Sequence, residues 1–380
     1  MALIDGEHYA PVVRDALLEL DHEVIGAVLL GGVEKIRGGE DYGVPVLHDL
    51  DRALDELEPD LVVDLSDEPI LPPRERLLLA SRVLARGLPY EGADFRFDPP
   101  PFAPFPLPSL AVIGTGKRVG KTAVTGHVAR LLARDRDVVV VAMGRGGPPE
   151  PELIETPPTI EDLVALSRGG RHAASDHLET AALAGVRTIG CRRCGGGLAG
   201  APGPSNVVAG AELAASLDPD FVVFDGSGSA IPPIAVGARI LVAHDVTSGL
   251  NPYRVLVADL VLTMDGAVDG MLFELRLRPV QPLAGRRTAV FTTGPAPVDH
   301  LDADVVHVSR NLARRDELRA ELEGIDADVY LVELKAAAID VVAEAAAARG
   351  VEVVLADNEV VAEGLDEAVL ALAAREVPAV

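Results

Sequence analysis

Leu110-Ala111-Val112-Ile113-Gly114-Thr115-Gly116-Lys117-Arg118-Val119-Gly120-Lys121-Thr122, running on into AVTGHVARLLAR, decides the fold of this chain. Four apolar residues, a glycine-rich turn and a stretch with helical apolar spacing are the strand, loop and helix that a P-loop requires. In such a loop the glycines let backbone N–H groups close around phosphate oxygens, and the helix N-terminus adds the positive end of its dipole. Gly114, Thr115, Gly116, Val119, Gly120, Lys121 and Thr122 are therefore expected to cradle the phosphates of a nucleotide. Lys121 should reach the β- and γ-phosphates, and the Thr122 hydroxyl should ligate Mg²⁺. Lysine is scarce here, with Lys35, Lys117, Lys121 and Lys335 against 30 arginines, so two lysines within five positions stand out.

A P-loop needs a second partner for Mg²⁺, normally an acid at the end of a neighbouring strand. Phe221-Val222-Val223-Phe224-Asp225, followed by Gly226-Ser227-Gly228-Ser229, supplies one, although Asp-Gly after a strand is also a common turn. The acceptor side shows guanidinium groups among glycines. Val138–Ala142 ends in Met143-Gly144-Arg145-Gly146-Gly147, which puts Arg145 and Gly146 at the carboxyl end of a strand, where ligands of open α/β sheets sit. Ser175, Asp176 and His177 follow, and then Gly190-Cys191-Arg192-Arg193-Cys194-Gly195-Gly196-Gly197. Arg192 and Arg193 beside Gly195 and Gly196 combine fork-shaped donors with exposed backbone N–H groups, as a phosphate ligand requires. A solvated surface loop is the alternative for these arginines. Cys191 and Cys194 lack the further ligands of a zinc site and are read as small residues shaping the loop.

Outward from this centre the chain divides into three. Residues 1–98 alternate short apolar runs with amphipathic stretches, the pattern of a separate N-terminal α/β domain of Rossmann-like type. Residues 99–108 are a Pro-rich linker, residues 109–285 the P-loop NTPase domain on a mainly parallel sheet. Residues 286–380 continue as a C-terminal α/β region, either a third domain or an extension of the second sheet. In the first region Asp5, Glu7 and His8 follow a strand and are candidates for holding substrate, water or metal; Asp5 as a helix cap is the alternative. Lys335 follows a late strand and is carried as a further candidate.

Composition bounds the rest. With 34 basic and 59 acidic side chains the formal charge is −25, which argues against a nucleic-acid or anionic-membrane surface. No window approaches the ~20 apolar residues of a membrane span, and two cysteines build no disulfide framework, so the cytoplasm is expected. A polyanion can still bind, because the Debye length is only ~8 Å at physiological salt and arginines at contact distance outweigh distant carboxylates.

Taken together and in order, IDGEHY, GTGKRVGKT, AMGRGGPPEPELIE, AASDHLETA, GCRRCGGGLAG and FDGSGSAIPP resemble the cyclic 2,3-diphosphoglycerate synthetase family over essentially the whole chain. The loop, one residue longer than GxxxxGKT, is similar to that of the dethiobiotin-synthetase branch of P-loop proteins. The resemblance implies ATP-driven closure of 2,3-diphosphoglycerate to a cyclic pyrophosphate, through a phosphorylated intermediate, with ADP and phosphate released. It implies ATP and Mg²⁺ as cofactors and a small-molecule partner; a homodimer stays open. Lys121, Lys117 and Arg118 would then neutralise the transferred group as catalytic residues. Composition and spacing by themselves reach only ATP-dependent activation of an anionic acceptor. Another P-loop small-molecule kinase or ligase, or a regulatory ATPase or GTPase switch, needs the same cradle.

Overall fold

The computed structural model describes residues 1–31, 41–266, 268–334 and 338–375. They fold as two compact units. The first takes Met1–Pro101 together with Leu198–Gly200 and Asp245–Val257; the second takes the other described residues from Phe102 onward.

The first unit contains β1 (Ala2–Asp5), α1 (Ala10–Glu19), β2 (Ala27–Leu30), β3 (Val46–Leu47), α2 (Leu50–Leu57), β4 (Val62–Asp64), α3 (Pro73–Ala85), β5 (Tyr90–Gly92) and β6 (Phe95–Phe97). Its six strands lie in the order β3-β2-β1-β4-β5-β6, parallel except for the antiparallel pair β5–β6. The order reverses between β1 and β4, the doubly wound arrangement expected of alternating strands and helices. Ala10, Val13 and Leu17 are the buried face of α1, three and four residues apart, and they pack on Ala2, Ile4 and Ala27.

The second unit opens with the proline-rich stretch. From Phe102 that stretch is docked: Ala103 bridges Ile234, and Phe105 is buried with its ring edge-on to Phe224 at 5.1 Å. There follow β7 (Ser109–Gly114), α4 (Lys121–Leu132), β8 (Val138–Gly144), β9 (Glu152–Ile154), α5 (Ile160–Arg168), α6 (Asp176–Ala184), β10 (Arg187–Arg192), α7 (Val207–Ser216), β11 (Phe221–Asp225) and β12 (Ala238–Ala243). After α8 (Asn251–Leu256), which folds with the first unit, come β13 (Leu260–Thr263) and β14 (Met271–Leu272). The eight strands are ordered β14-β13-β12-β7-β11-β8-β10-β9, and only β9 is antiparallel. Every residue of β7, β8 and β11 is buried, as central parallel strands covered on both faces must be.

The C-terminal region forms its own five-stranded sheet, ordered β15-β19-β18-β16-β17. Its elements are β15 (Glu274–Pro279), β16 (Arg287–Phe291), β17 (Asp304–Ser309), α9 (Arg315–Glu323), β18 (Val329–Glu333), a π-helical turn leading into α10 (Glu344–Arg349), β19 (Glu352–Val361) and α11 (Leu365–Ala373). It does not stand apart from the P-loop sheet. Val360, Leu365, Val369 and Leu372 share one buried cluster with Val124, Val128 and Leu132 of α4. No helix among the described residues is long and apolar enough to cross a membrane.

Candidate active site

The loop between β7 and α4 is built as the sequence requires. Arg118 and Gly120 both take positive φ, +61° and +97°, and curl the backbone into a concave turn before Lys121 opens the helix. For a residue with a side chain, as Arg118 has, the left-handed region costs about 1 kcal/mol or more. The Lys121 side chain folds back along the turn: a methyl group on Gly114 would lie 2.6 Å from its Cδ, so a larger residue there must push the lysine aside. Val119 is buried and pins the loop from below, while Lys117 and Arg118 are exposed at its rim.

Asp225 ends β11, paired with Val112 of β7 on one side and Ala142 of β8 on the other. It is 4% exposed and accepts a hydrogen bond from Thr125 Oγ1 at 2.9 Å. Burial pushes its pKa up to about 6; the Lys121 ammonium draws it back and the Asp176 carboxylate adds to the rise. A carboxylate kept beside a lysine at this burial is a hard oxygen donor of the kind that could hold a divalent cation.

One cavity of about 410 Å³ joins these groups to the loop after β8 and the start of α6. Lys117, Arg118, Lys121, Thr122 and Asp225 line one wall; Arg145, Gly146, His172, Ser175, Asp176 and His177 line the other. The second wall comes from the loop after β8 and the start of α6, so the neighbouring strands β7, β11 and β8 all deliver their carboxyl ends to the same space. His177 is buried, and burial lowers its pKa, with Glu152 pulling the other way; among the described residues its Nε2 has no hydrogen-bond partner, with Glu152 Oε2 3.7 Å away. Ser175 Oγ is likewise buried without a partner among the described residues.

A second cavity of about 370 Å³ is lined by Arg145, Arg193, Cys194, Gly195, Gly196, Gly197, Ser229 and Ala230. Arg145 belongs to both. The two adjacent arginines of the sequence separate here: Arg193 is buried in this cavity, whereas Arg192 is exposed at the end of β10 and lines neither space. Its backbone N–H donates to Asn206 Oδ1 at 2.6 Å.

Asp5, Glu7 and His8 lie in the first unit and form a cluster of their own. Asp5 is buried and accepts from His8 Nδ1 at 2.9 Å and from the backbone N–H groups of Glu7 and Asp67 at 3.0 and 2.8 Å. Backbone and side-chain hydrogen bonds hold its pKa down although burial acts against them. Two bonds from the loop after β1 and one from Asp67 occupy most of the lone pairs of this carboxylate. Lys335 lies outside the described residues. His172, Gly147, Ser227 and Gly228 also line the first cavity, and sequence reasoning did not single them out for it; their place next to Arg145 and Asp225 was the available signal. Cys191 is buried and Cys194 exposed, both as free thiols, and no group of three or more metal-ligating side chains occurs among the described residues.

Three family models match the chain. Residues 1–98 match "Cyclic 2,3-diphosphoglycerate synthetase, N-terminal domain", residues 109–271 the P-loop domain of the same synthetase, and residues 279–359 its C-terminal domain. A curated cyclic 2,3-diphosphoglycerate synthetase from Rubrobacter xylanophilus is 47% identical, covering 98% of this chain and 96% of the relative. Relatives of the same name from Thermococcus gammatolerans and Methanothermus fervidus are 43% and 38% identical, covering 98% and 94% of this chain and 96% and 92% of their own length. Among solved structures, LpxK from Aquifex aeolicus in complex with ATP aligns with 72% of this chain and 90% of its own, at a TM-score of 0.43 and 15% identity.

Proposed function

The chain belongs to the cyclic 2,3-diphosphoglycerate synthetase family, and on that premise we propose that it closes 2,3-diphosphoglycerate into its cyclic pyrophosphate, coupled to conversion of ATP to ADP and phosphate. In the first step an oxygen of one substrate phosphate takes the γ-phosphoryl group, and the bond from that group to ADP breaks. In the second, an oxygen of the other substrate phosphate attacks the phosphorus so activated. The new ring P–O–P bond forms as the activated linkage breaks, and its electron pair leaves on inorganic phosphate.

The residues divide the work by charge. Lys121 and the backbone of 114–120 bind the nucleotide phosphates, and Lys117 and Arg118 at the rim face the transferred group. Arg145, with His172, Ser175, Asp176 and His177 around it, receives the acceptor, aided by Arg193, Gly195 and Gly196. Arg192 has no part in this assignment beyond flanking β10. Thr122 and Asp225 would hold Mg²⁺, a fit supported by a buried carboxylate whose pKa stands raised beside Lys121. When bound, the ion neutralises phosphate charge that the side chains leave uncompensated. The two free thiols accord with a reducing compartment, and we place the enzyme in the cytoplasm.

The observation that carries this reading is the convergence of Lys121 and Asp225 with Arg145 in one cavity, a donor of phosphate charge compensation on each side. Two polyanions meet only where cations flank both. Phosphorus NMR of the protein with ATP, Mg²⁺ and 2,3-diphosphoglycerate tests it: a cyclic pyrophosphate signal should grow with ADP and phosphate. ATP consumption that ignores the bisphosphate would overturn the assignment.

A further inference from the structure

Arg193 is a buried cation with no ion-pair partner within 4.0 Å among the described residues. It is 7% exposed, and its guanidinium is fixed at two points, through Nη1 to the Gly195 carbonyl and through Nη2 to the Ser227 carbonyl at 2.6 Å. Its Nε is buried with no hydrogen-bond partner among the described residues. Among the described residues no carboxylate lies within 4.0 Å of Arg193 or Arg145, and the two guanidinium groups approach the same glycine. A methyl group on Gly228 would stand 2.9 Å from Arg145 Nη2 and 3.3 Å from Arg193 Nη2. Burial lowers the Arg193 pKa and the neighbouring Arg145 charge lowers it further, against a smaller opposing pull from the Asp176 carboxylate. Leaving a buried guanidinium facing a like charge costs several kcal/mol unless an anion completes the site.

The two cavities differ in what they can do. The first holds Lys121, Thr122 and Asp225, the nucleotide side of the reaction. The second holds Arg193 and the run Gly195–Gly197, with Ser229 and Ala230, and no residue of the phosphate loop. A phosphate seated there touches no residue of the phosphate loop and is charge-compensated by the guanidinium groups. Arg145 borders both spaces, so a ligand carrying phosphates on adjacent carbons can bracket it.

We propose that the Arg145–Arg193 cavity seats the substrate phosphate that attacks during ring closure, while the phosphate that is first phosphorylated lies in the Lys121 cavity. The assignment rests on the two-step reaction given above and divides its phosphates between two seats. In the closing step an oxygen of the seated phosphate forms the new P–O bond, the activated phosphate's bond to the former γ-group breaks, and inorganic phosphate departs. Arg193 holds the nucleophile rather than the leaving group. Its removal should therefore affect the second step far more than the first.

Arg193 also ties two loops together, so its replacement alone is ambiguous. Gly196 offers a cleaner change: a methyl group there meets only ordinary contacts, including Arg193 Nη1 at 3.6 Å. Gly196→Asp starts from a β-carbon that fits beside the guanidinium and brings the wrong charge to the seat. Single-turnover quench with phosphorus NMR reads both steps in Gly196→Asp and in Arg193→Lys. The expected result is accumulation of an acyclic phosphorylated bisphosphate, with the ring-closing rate falling at least tenfold more than the first transfer. Equal slowing of both steps, or cyclic product at the wild-type rate, overturns the division of seats. A wild-type enzyme that makes no cyclic product overturns the underlying reaction instead.

Discussion

The side chain of Lys121 lies across the α-carbon of Gly114, so that a β-carbon at Gly114 would sit 2.6 Å from Lys121 Cδ and 3.0 Å from Cγ. The strand end and the helix start thereby fix one ammonium group between them. Gly114→Ala should displace that ammonium without disturbing the buried run of β7. ATP-dependent turnover is expected to fall ~100-fold, comparable to losing one preorganised charge donor. Lys121→Ala should match it, with thermal melting near wild type in both. Wild-type ATP consumption by Gly114→Ala would show that Lys121 works from another position.

Asp225 makes the apo protein less stable than it need be. Its carboxyl is held near pKa 6 against an ordinary 3.8, so the folded state binds the proton more tightly than the unfolded chain. This group therefore favours folding fully below about pH 4, and that contribution is lost as pH rises through about 6. Asp225→Asn keeps the acceptor for Thr125 and should raise stability at pH 7 by about 3 kcal/mol, at about 1.36 kcal/mol per pKa unit, while abolishing turnover. Urea unfolding at pH 7 and pH 4 checks the sign: the advantage of the variant should shrink at the lower pH.

Gly228 sits at positive φ, +60°, under both guanidinium groups. Gly228→Ala strains the backbone by about 1 kcal/mol and pushes on Arg145. The expected result is a rise of about tenfold in KM for 2,3-diphosphoglycerate, in line with one weakened charged hydrogen bond, and little change in KM for ATP. Parallel rises in both constants would place the arginine pair on the nucleotide instead.

The two thiols should differ sharply in reactivity. Burial pushes the Cys191 thiol up to about 12, whereas Cys194 is exposed on the Arg193 cavity. An alkylating reagent at pH 8 should label Cys194 and spare Cys191 until the protein unfolds, and 2,3-diphosphoglycerate should slow the labelling. Peptide mass spectrometry reads both sites. Labelling of Cys194 at a rate indifferent to the bisphosphate would empty that cavity of its assigned ligand.

Much of the site is local in the chain and therefore legible in it. The phosphate loop, Asp225 at a strand end and Arg145 among glycines all follow from a strand's apolar run and the residues just past it. Arg192 and Arg193 could not be told apart, because which of them turns inward depends on where β10 stops and on the loop carbonyls that hold Arg193. Nor could Asp5 be resolved, since its hydrogen bond from the Asp67 backbone closes a gap of 62 residues. The C-terminal sheet was visible as strands but not as a partner of the P-loop helix. Its pairing of β15 with β19 and the burial of α11 residues with α4 are long-range choices that no local pattern encodes.

The excursion of Asp245–Val257 into the first unit makes that unit discontinuous in the gene. A fragment ended at Asp98 would be missing α8, which packs on α3 and contributes Val255 and Leu256 beside Leu78 and Ala85. Such a fragment would bare an oily surface and tend to clump. A transplant of this lobe into another protein has to carry the distant helix with it, and insertions or deletions between β12 and β13 will be felt in the lobe rather than only where they are made.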